Sequence, residues 1–135
     1  MKNIVVDAGP LIALFRRRDQ HHLRVKRLLA ASSARLATTL PVVTEVCHFL
    51  NAQGKLAFLT WVRRGGLTVQ AVGAEDFEEI GTIMARYGDR DIDFADASLI
   101  WLADRLNSTA VMTVDRRDFE VYRLSNGKAF QIIAE

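Results

Sequence analysis

Asn3-Ile4-Val5-Val6-Asp7, followed at once by Ala8-Gly9-Pro10, is the stretch that decides how this chain folds. Ile4, Val5 and Val6 are apolar in succession rather than in alternation, which is typical of a central strand in a parallel sheet, covered on both faces. Pro10 is placed for the start of a helix. Asp7 ends the strand, and open α/β sheets build their ligand sites at that edge, so Asp7 is a candidate site residue.

Further short apolar runs predict strands at residues 36–38, 67–72, 110–114 and 130–133, with helical patterns between them. Parallel strands require helical crossovers, and those crossovers cover both faces of the sheet. The alternation therefore predicts an α/β fold, a three-layer α/β/α sandwich with a central parallel sheet of four to five strands. At 135 residues, the chain is expected to form a single domain over residues 1–135.

Two helices carry specific expectations about burial. The helix predicted from Phe94 to about Leu106 is almost entirely apolar after its first turn, so it must be well buried. The helix predicted over 55–64 has Leu56 and Leu59 on an apolar stripe. Phe77 is expected on the buried side of the helix that precedes the Phe94 helix.

Composition limits the classes of function. The chain has 18 basic and 16 acidic residues, a net charge of +2, so any binding of nucleic acid must come from local patches. One cysteine cannot form an internal disulfide, which fits a reducing compartment. No signal-peptide pattern is found, and no apolar run approaches the length of about 20 that crosses a bilayer. A cytoplasmic protein with no membrane contact is expected.

Four acids fall where the predicted strands end or the next helices begin: Asp7, Glu45, Asp96 and Asp115. Singly, each is explained by the preference of acids for the first turns of helices and of Asp for turns. Parallel strands would instead bring all four to one edge, where carboxylates repel and raise one another's pKa unless a cation lies among them. Oxygen ligands with few histidines suit Mg²⁺ or Mn²⁺.

The residues around these acids resemble the four acidic motifs of PIN-domain ribonucleases of the VapC toxin type. The resemblance spans nearly the whole chain, in order, and its motifs are Val6-Asp7-Ala8-Gly9-Pro10-Leu11-Ile12-Ala13-Leu14, Thr44-Glu45-Val46, Asp93-Phe94-Ala95-Asp96-Ala97-Ser98-Leu99 and Thr113-Val114-Asp115-Arg116-Arg117-Asp118-Phe119. It implies the strand order 3-2-1-4-5 and a Mg²⁺- or Mn²⁺-dependent endoribonuclease. Such enzymes hydrolyse phosphodiester bonds, and the ion would polarise the phosphate and activate a water.

The resemblance also assigns roles to residues. Asp7 and Asp96 would be direct metal ligands, with Glu45 and Asp115 completing a catalytic acidic pocket. Thr113 matches a hydroxyl position common in the family and could orient a carboxylate or a water.

Two residues qualify that assignment. Asp93 would be an acid that contacts a metal ligand rather than the metal itself, or simply the N-cap of its helix. Ala8 departs from the Ser or Thr that many relatives carry after the first acid, so one hydroxyl contact near the metal is missing.

Basic side chains near the acids could bind the phosphates of an RNA backbone: Arg16, Arg17, Arg18, Arg116 and Arg117. Each alone is equally well explained as solvated surface. The family type further implies a cognate antitoxin protein that occludes the pocket, and a homodimer.

Two other functions remain open. One is a catalytically idle PIN-like domain that only binds a partner. The other is a phosphoacceptor signalling domain, which also has an acidic pocket on a parallel sheet but would usually want a Lys after its last strand, and residues 130–135 contain none.

Overall fold

A five-stranded parallel sheet forms the centre of the computed structural model, which describes residues 2–133. The strands lie in the order β3-β2-β1-β4-β5, which is the order that the family resemblance implies. Their bounds are β1 (Asn3–Val6), β2 (Arg35–Thr39), β3 (Thr68–Gln70), β4 (Ala110–Met112) and β5 (Gln131–Ile133). Ala134 and Glu135, the end of the segment that lacks a Lys, lie outside the described residues.

The opening strand is central, as its unbroken apolar run predicts. Val5 is fully buried and stands in register with Ala37 on one side and with Val111 on the other. Because β1 has a strand on each side, the residue that follows it opens onto the middle of the carboxyl edge.

Helices flank the sheet and complete the predicted three-layer sandwich over the described part of the chain. They are α1 (Ala8–Phe15), α2 (His22–Ala31), α3 (Leu40–His48), α4 (Ala52–Arg63), α5 (Phe77–Arg86), α6 (Phe94–Leu106) and α7 (Arg116–Phe119). None of these helices is long and apolar enough to span a membrane. The α6 helix begins and ends as predicted, and its residues 97–103 are all buried.

The predicted burial of α4 and of Phe77 is wrong. Leu56 and Leu59 are 67% and 47% exposed, and the buried face of α4 instead carries Gly54 and Phe58. At Gly54 an added Cβ would lie only 3.2 Å from the carbonyl oxygen of Phe15, so the missing side chain lets α4 approach the end of α1. Phe77 is 53% exposed and packs edge-on against the ring of Phe94.

Candidate active site

The four acids predicted to meet do line one pocket, at the carboxyl edge of the sheet. Asp7 follows β1, Glu45 lies on α3, Asp96 is in the first turn of α6, and Asp115 follows β4. The pocket has a volume of about 390 Å³, and Asp93 and Asp118 add two further carboxylates to its lining.

The carboxylate of Asp7 is held in place by two hydrogen bonds. Its Oδ1 accepts the backbone N–H of Ala8 at 2.8 Å, which caps α1, and its Oδ2 accepts the hydroxyl of Thr113 at 2.9 Å. Thr113 is itself 1% exposed, so its hydroxyl is fixed. Burial raises the pKa of Asp7, although both hydrogen bonds act to lower it.

Close packing at Gly9 brings the start of α1 against the segment that follows β4. A Cβ at Gly9 would lie 2.4 Å from Cγ2 of Val114, far inside van der Waals contact. Only glycine therefore allows α1 to begin this close to β4, and this approach sets Asp7 beside Thr113.

Asp96 is held by a tyrosine that lies far from it in the sequence. The hydroxyl of Tyr122 donates to Oδ2 of Asp96 at 3.2 Å. Tyr122 is 2% exposed, and its ring packs edge-on against the rings of Tyr87 and Phe119, with centroids 5.0 and 5.2 Å away. Burial first, and then the charges of Asp7 and Asp93, raise the pKa of Asp96 to about 8.

Asp93 caps α6, as one of its two predicted roles requires. Its Oδ1 accepts the backbone N–H of Asp96 at 2.8 Å. Asp93 therefore fixes the first turn of α6, and through that turn the position of Asp96.

Glu45 and Asp115 differ in their electrostatic surroundings. Burial, and then the charge of Asp7, raise the pKa of Glu45. Asp115 is exposed, and its hydrogen bond with Arg117 lowers the pKa of its carboxyl group. The guanidinium of Arg117 lies 3.4 Å from Oδ1 of Asp115, so this predicted RNA contact is engaged in an ion pair.

The acidic pocket fits a hard divalent cation. Its donors are carboxylate oxygens, and burial first, with the charges of neighbouring acids adding to it, raises the pKa of Asp7, Glu45 and Asp96, so a cation among them would favour their ionised forms. Within residues 2–133 no three His, Cys, Asp or Glu side chains stand close enough together to hold an ion unaided. Mg²⁺ often takes only one or two carboxylates and keeps water and phosphate oxygens, so this donor set is sufficient for it.

The predicted basic residues fall in two groups, one after α1 and one at the start of α7. Arg16, Arg17 and Arg18 are exposed after α1 and line a second, adjoining cavity, and Arg16 also lines the acidic pocket. Arg116 is exposed at the start of α7.

Fold and acidic pocket together define a PIN domain. The model of the PIN domain family matches residues 4–124, and the chain belongs to that family. Among curated proteins it is similar to Ribonuclease VapC26 of Mycobacterium tuberculosis, with 28% identity over 134 residues, 96% of this chain and 99% of that protein.

A solved structure shares the fold. The crystal structure of Mycobacterium tuberculosis VapC20, described as a Sarcin-Ricin loop cleaving toxin, matches with a TM-score of 0.72 at 24% sequence identity. The match covers 84% of this chain and 90% of VapC20.

Proposed function

We propose that this protein is a Mg²⁺- or Mn²⁺-dependent endoribonuclease that hydrolyses RNA phosphodiester bonds as the toxin of a toxin-antitoxin pair. The observation that carries the proposal is the meeting of Asp7, Glu45 and Asp96 in one pocket, with the pKa of each raised. Similarity to Ribonuclease VapC26 over nearly the whole chain supports RNA as the substrate.

Asp7 and Asp96 would hold the ion, and Glu45 and Asp115 would complete the catalytic pocket. A bound ion would supply a Lewis acid for the phosphate and lower the pKa of water. The chain's own part is orientation, because Thr113 fixes one oxygen of Asp7 and Asp93 fixes the turn that carries Asp96. Because its pKa is raised, Glu45 is a stronger base than an ordinary Glu and would be the carboxylate that accepts a proton from the attacking water.

RNA phosphates would be bound by Arg16, Arg17, Arg18 and Arg116. Arg117 would act mainly by keeping Asp115 ionised, because the two side chains are paired. A cognate antitoxin, a homodimer and a cytoplasmic location follow from the VapC type and belong to the same proposal.

Sequencing of RNA ends tests the proposal and separates it from the two other functions. We expect wild-type protein to produce discrete RNA ends with Mg²⁺ or Mn²⁺, none with EDTA, and none after Asp96→Asn. Asp89→Asn, at an exposed position outside the pocket, is the matched control and should cleave like wild type. An idle partner-binding domain would yield no metal-dependent ends, and a phosphoacceptor would take up phosphoryl groups from a small donor instead.

A further inference from the structure

A basic groove adjoins the acidic pocket. It has a volume of about 760 Å³ and lies between the end of α1, the α2 helix and the junction of α3 with α4. We call it the basic groove; the side chains that give it its chemistry are Arg16, Arg17, Arg18, His22, Lys26 and Phe49.

The charge of the basic groove has one sign. Three arginines and Lys26 line it, and none of the described residues in its lining carries a carboxylate. The whole chain has 16 acidic residues against 18 basic ones, so an ordinary surface of this protein would mix the two signs. A groove of uniform positive charge attracts a polyanion, whose successive phosphates can occupy several of these side chains at once.

The groove and the acidic pocket are neighbours that share part of their lining. Arg16 and Phe49 line both of them. An RNA chain whose scissile phosphate lies at the acids would pass these shared residues before its next phosphates reach the groove.

Phe49 supplies an aromatic face at this junction. It is 52% exposed, and it lies four residues after Glu45, on the same face of α3 and just past the last turn. The ring of His48 packs edge-on against it, with centroids 5.3 Å apart. Unpaired RNA bases stack on such exposed aromatic rings, and this contact tolerates any base because each has a π-face.

We propose that the basic groove binds the single-stranded RNA that adjoins the scissile phosphate, with its phosphates on Arg17, Arg18 and Lys26 and one base stacked on Phe49. This inference rests on the proposed ribonuclease function, because it assigns the path of that enzyme's substrate.

Two pairs of variants test the path, with binding of a fluorescent single-stranded RNA measured by anisotropy in EDTA. Arg17→Ala with Lys26→Ala should weaken binding at least about tenfold and lower the slope of log K against log salt by roughly 1.4, about 0.7 for each lost phosphate contact. The control, Arg63→Ala with Arg64→Ala, removes the same charge at the other end of α4 and should bind within about twofold of wild type.

The second pair tests stacking. Phe49→Ala should weaken binding about tenfold with an unchanged salt slope, because stacking is not ionic. Leu56→Ala, which removes an even more exposed apolar side chain outside the groove, is its control.

RNA cleavage in the presence of Mn²⁺ is measured for the same proteins and compared with their RNA binding. If the wild type cleaves RNA and the groove variants bind RNA as tightly as the wild type, the basic groove does not bind the substrate. It would then bind another ligand, such as a protein segment, and only this inference would be wrong. If the groove variants lose binding but the wild type does not cleave, the path stands and the proposed function falls. Equal losses in the groove and control variants would also overturn the path, since net charge alone would then explain binding.

Discussion

Replacing Asp96 by Asn should stabilise the metal-free protein even though it should abolish cleavage. Burial and the charges of Asp7 and Asp93 raise the pKa of Asp96 to about 8, well above its ordinary value of 3.8. The folded state therefore binds this proton more tightly than the unfolded state does. Asparagine carries no charge at any pH, and its amide oxygen can still accept a hydrogen bond from the hydroxyl of Tyr122.

The sign and size of the effect follow from the two pKa values of Asp96. The stability that protonated Asp96 gives the folded state is fully present below the pKa that Asp96 has in the unfolded chain. It is lost as the pH rises towards the pKa of Asp96 in the folded protein, at about 1.4 kcal/mol per pH unit. Between pH 5 and pH 8, the wild-type protein should lose about 3 to 4 kcal/mol of unfolding free energy through this group alone. Over the same pH range, the unfolding free energy of the Asn variant should fall by about 3 to 4 kcal/mol less than that of the wild type.

Urea unfolding in EDTA at pH 5 and at pH 8 measures the difference. Asp89→Asn is the control and should follow the wild type at both pH values, since that residue is exposed outside the pocket. The reasoning is refuted if Asp96→Asn is no more stable than wild type at pH 8 and keeps the wild-type dependence on pH. The ionised carboxylate of Asp96 would then not be destabilised by its burial and by the charges of Asp7 and Asp93.

Two further predictions use matched pairs of substitutions. Tyr122→Phe should weaken Mn²⁺ binding in calorimetry by roughly tenfold or more, because it releases the oxygen of Asp96 that the hydroxyl orients. Tyr87→Phe removes the neighbouring hydroxyl, which accepts a backbone N–H instead, and should leave the affinity unchanged; equal losses in both variants would show that the hydrogen bond to Asp96 is not the cause. Gly9→Ala should cost about 1 to 3 kcal/mol in urea unfolding because its Cβ has no room, whereas Gly81→Ala, with nothing within 4 Å, should stabilise α5 by up to about 1 kcal/mol. Stabilisation by Gly9→Ala would contradict the close approach of α1 to β4.

Much of the fold could be predicted from apolar patterning because the elements that decide it are buried on all sides. The run at Val5 predicts a central strand, and the apolar stretch of α6 predicts a buried helix. Because the ends of parallel strands and the starts of the flanking helices lie at one edge of the sheet, the meeting of Asp7 with Asp96 also follows from the sequence.

The features that could not be predicted from the sequence depend on contacts between distant segments. Tyr122 lies 26 residues after Asp96, and no local pattern marks its hydroxyl as a partner. The face that α4 buries is set by Gly54 against α1, which a search for apolar spacing overlooks. Arg117 has the same charge as its neighbours, and only the structure shows that it is paired with Asp115.

Titration of the protein with Mn²⁺ tests the central claim most directly, with bound and free ion distinguished by electron paramagnetic resonance. The wild type should bind Mn²⁺, and Asp7→Asn and Asp96→Asn should each lose most of that binding while Asp89→Asn retains it. If both pocket variants bind Mn²⁺ as tightly as the wild type, the acids at the carboxyl edge of the sheet do not hold the ion.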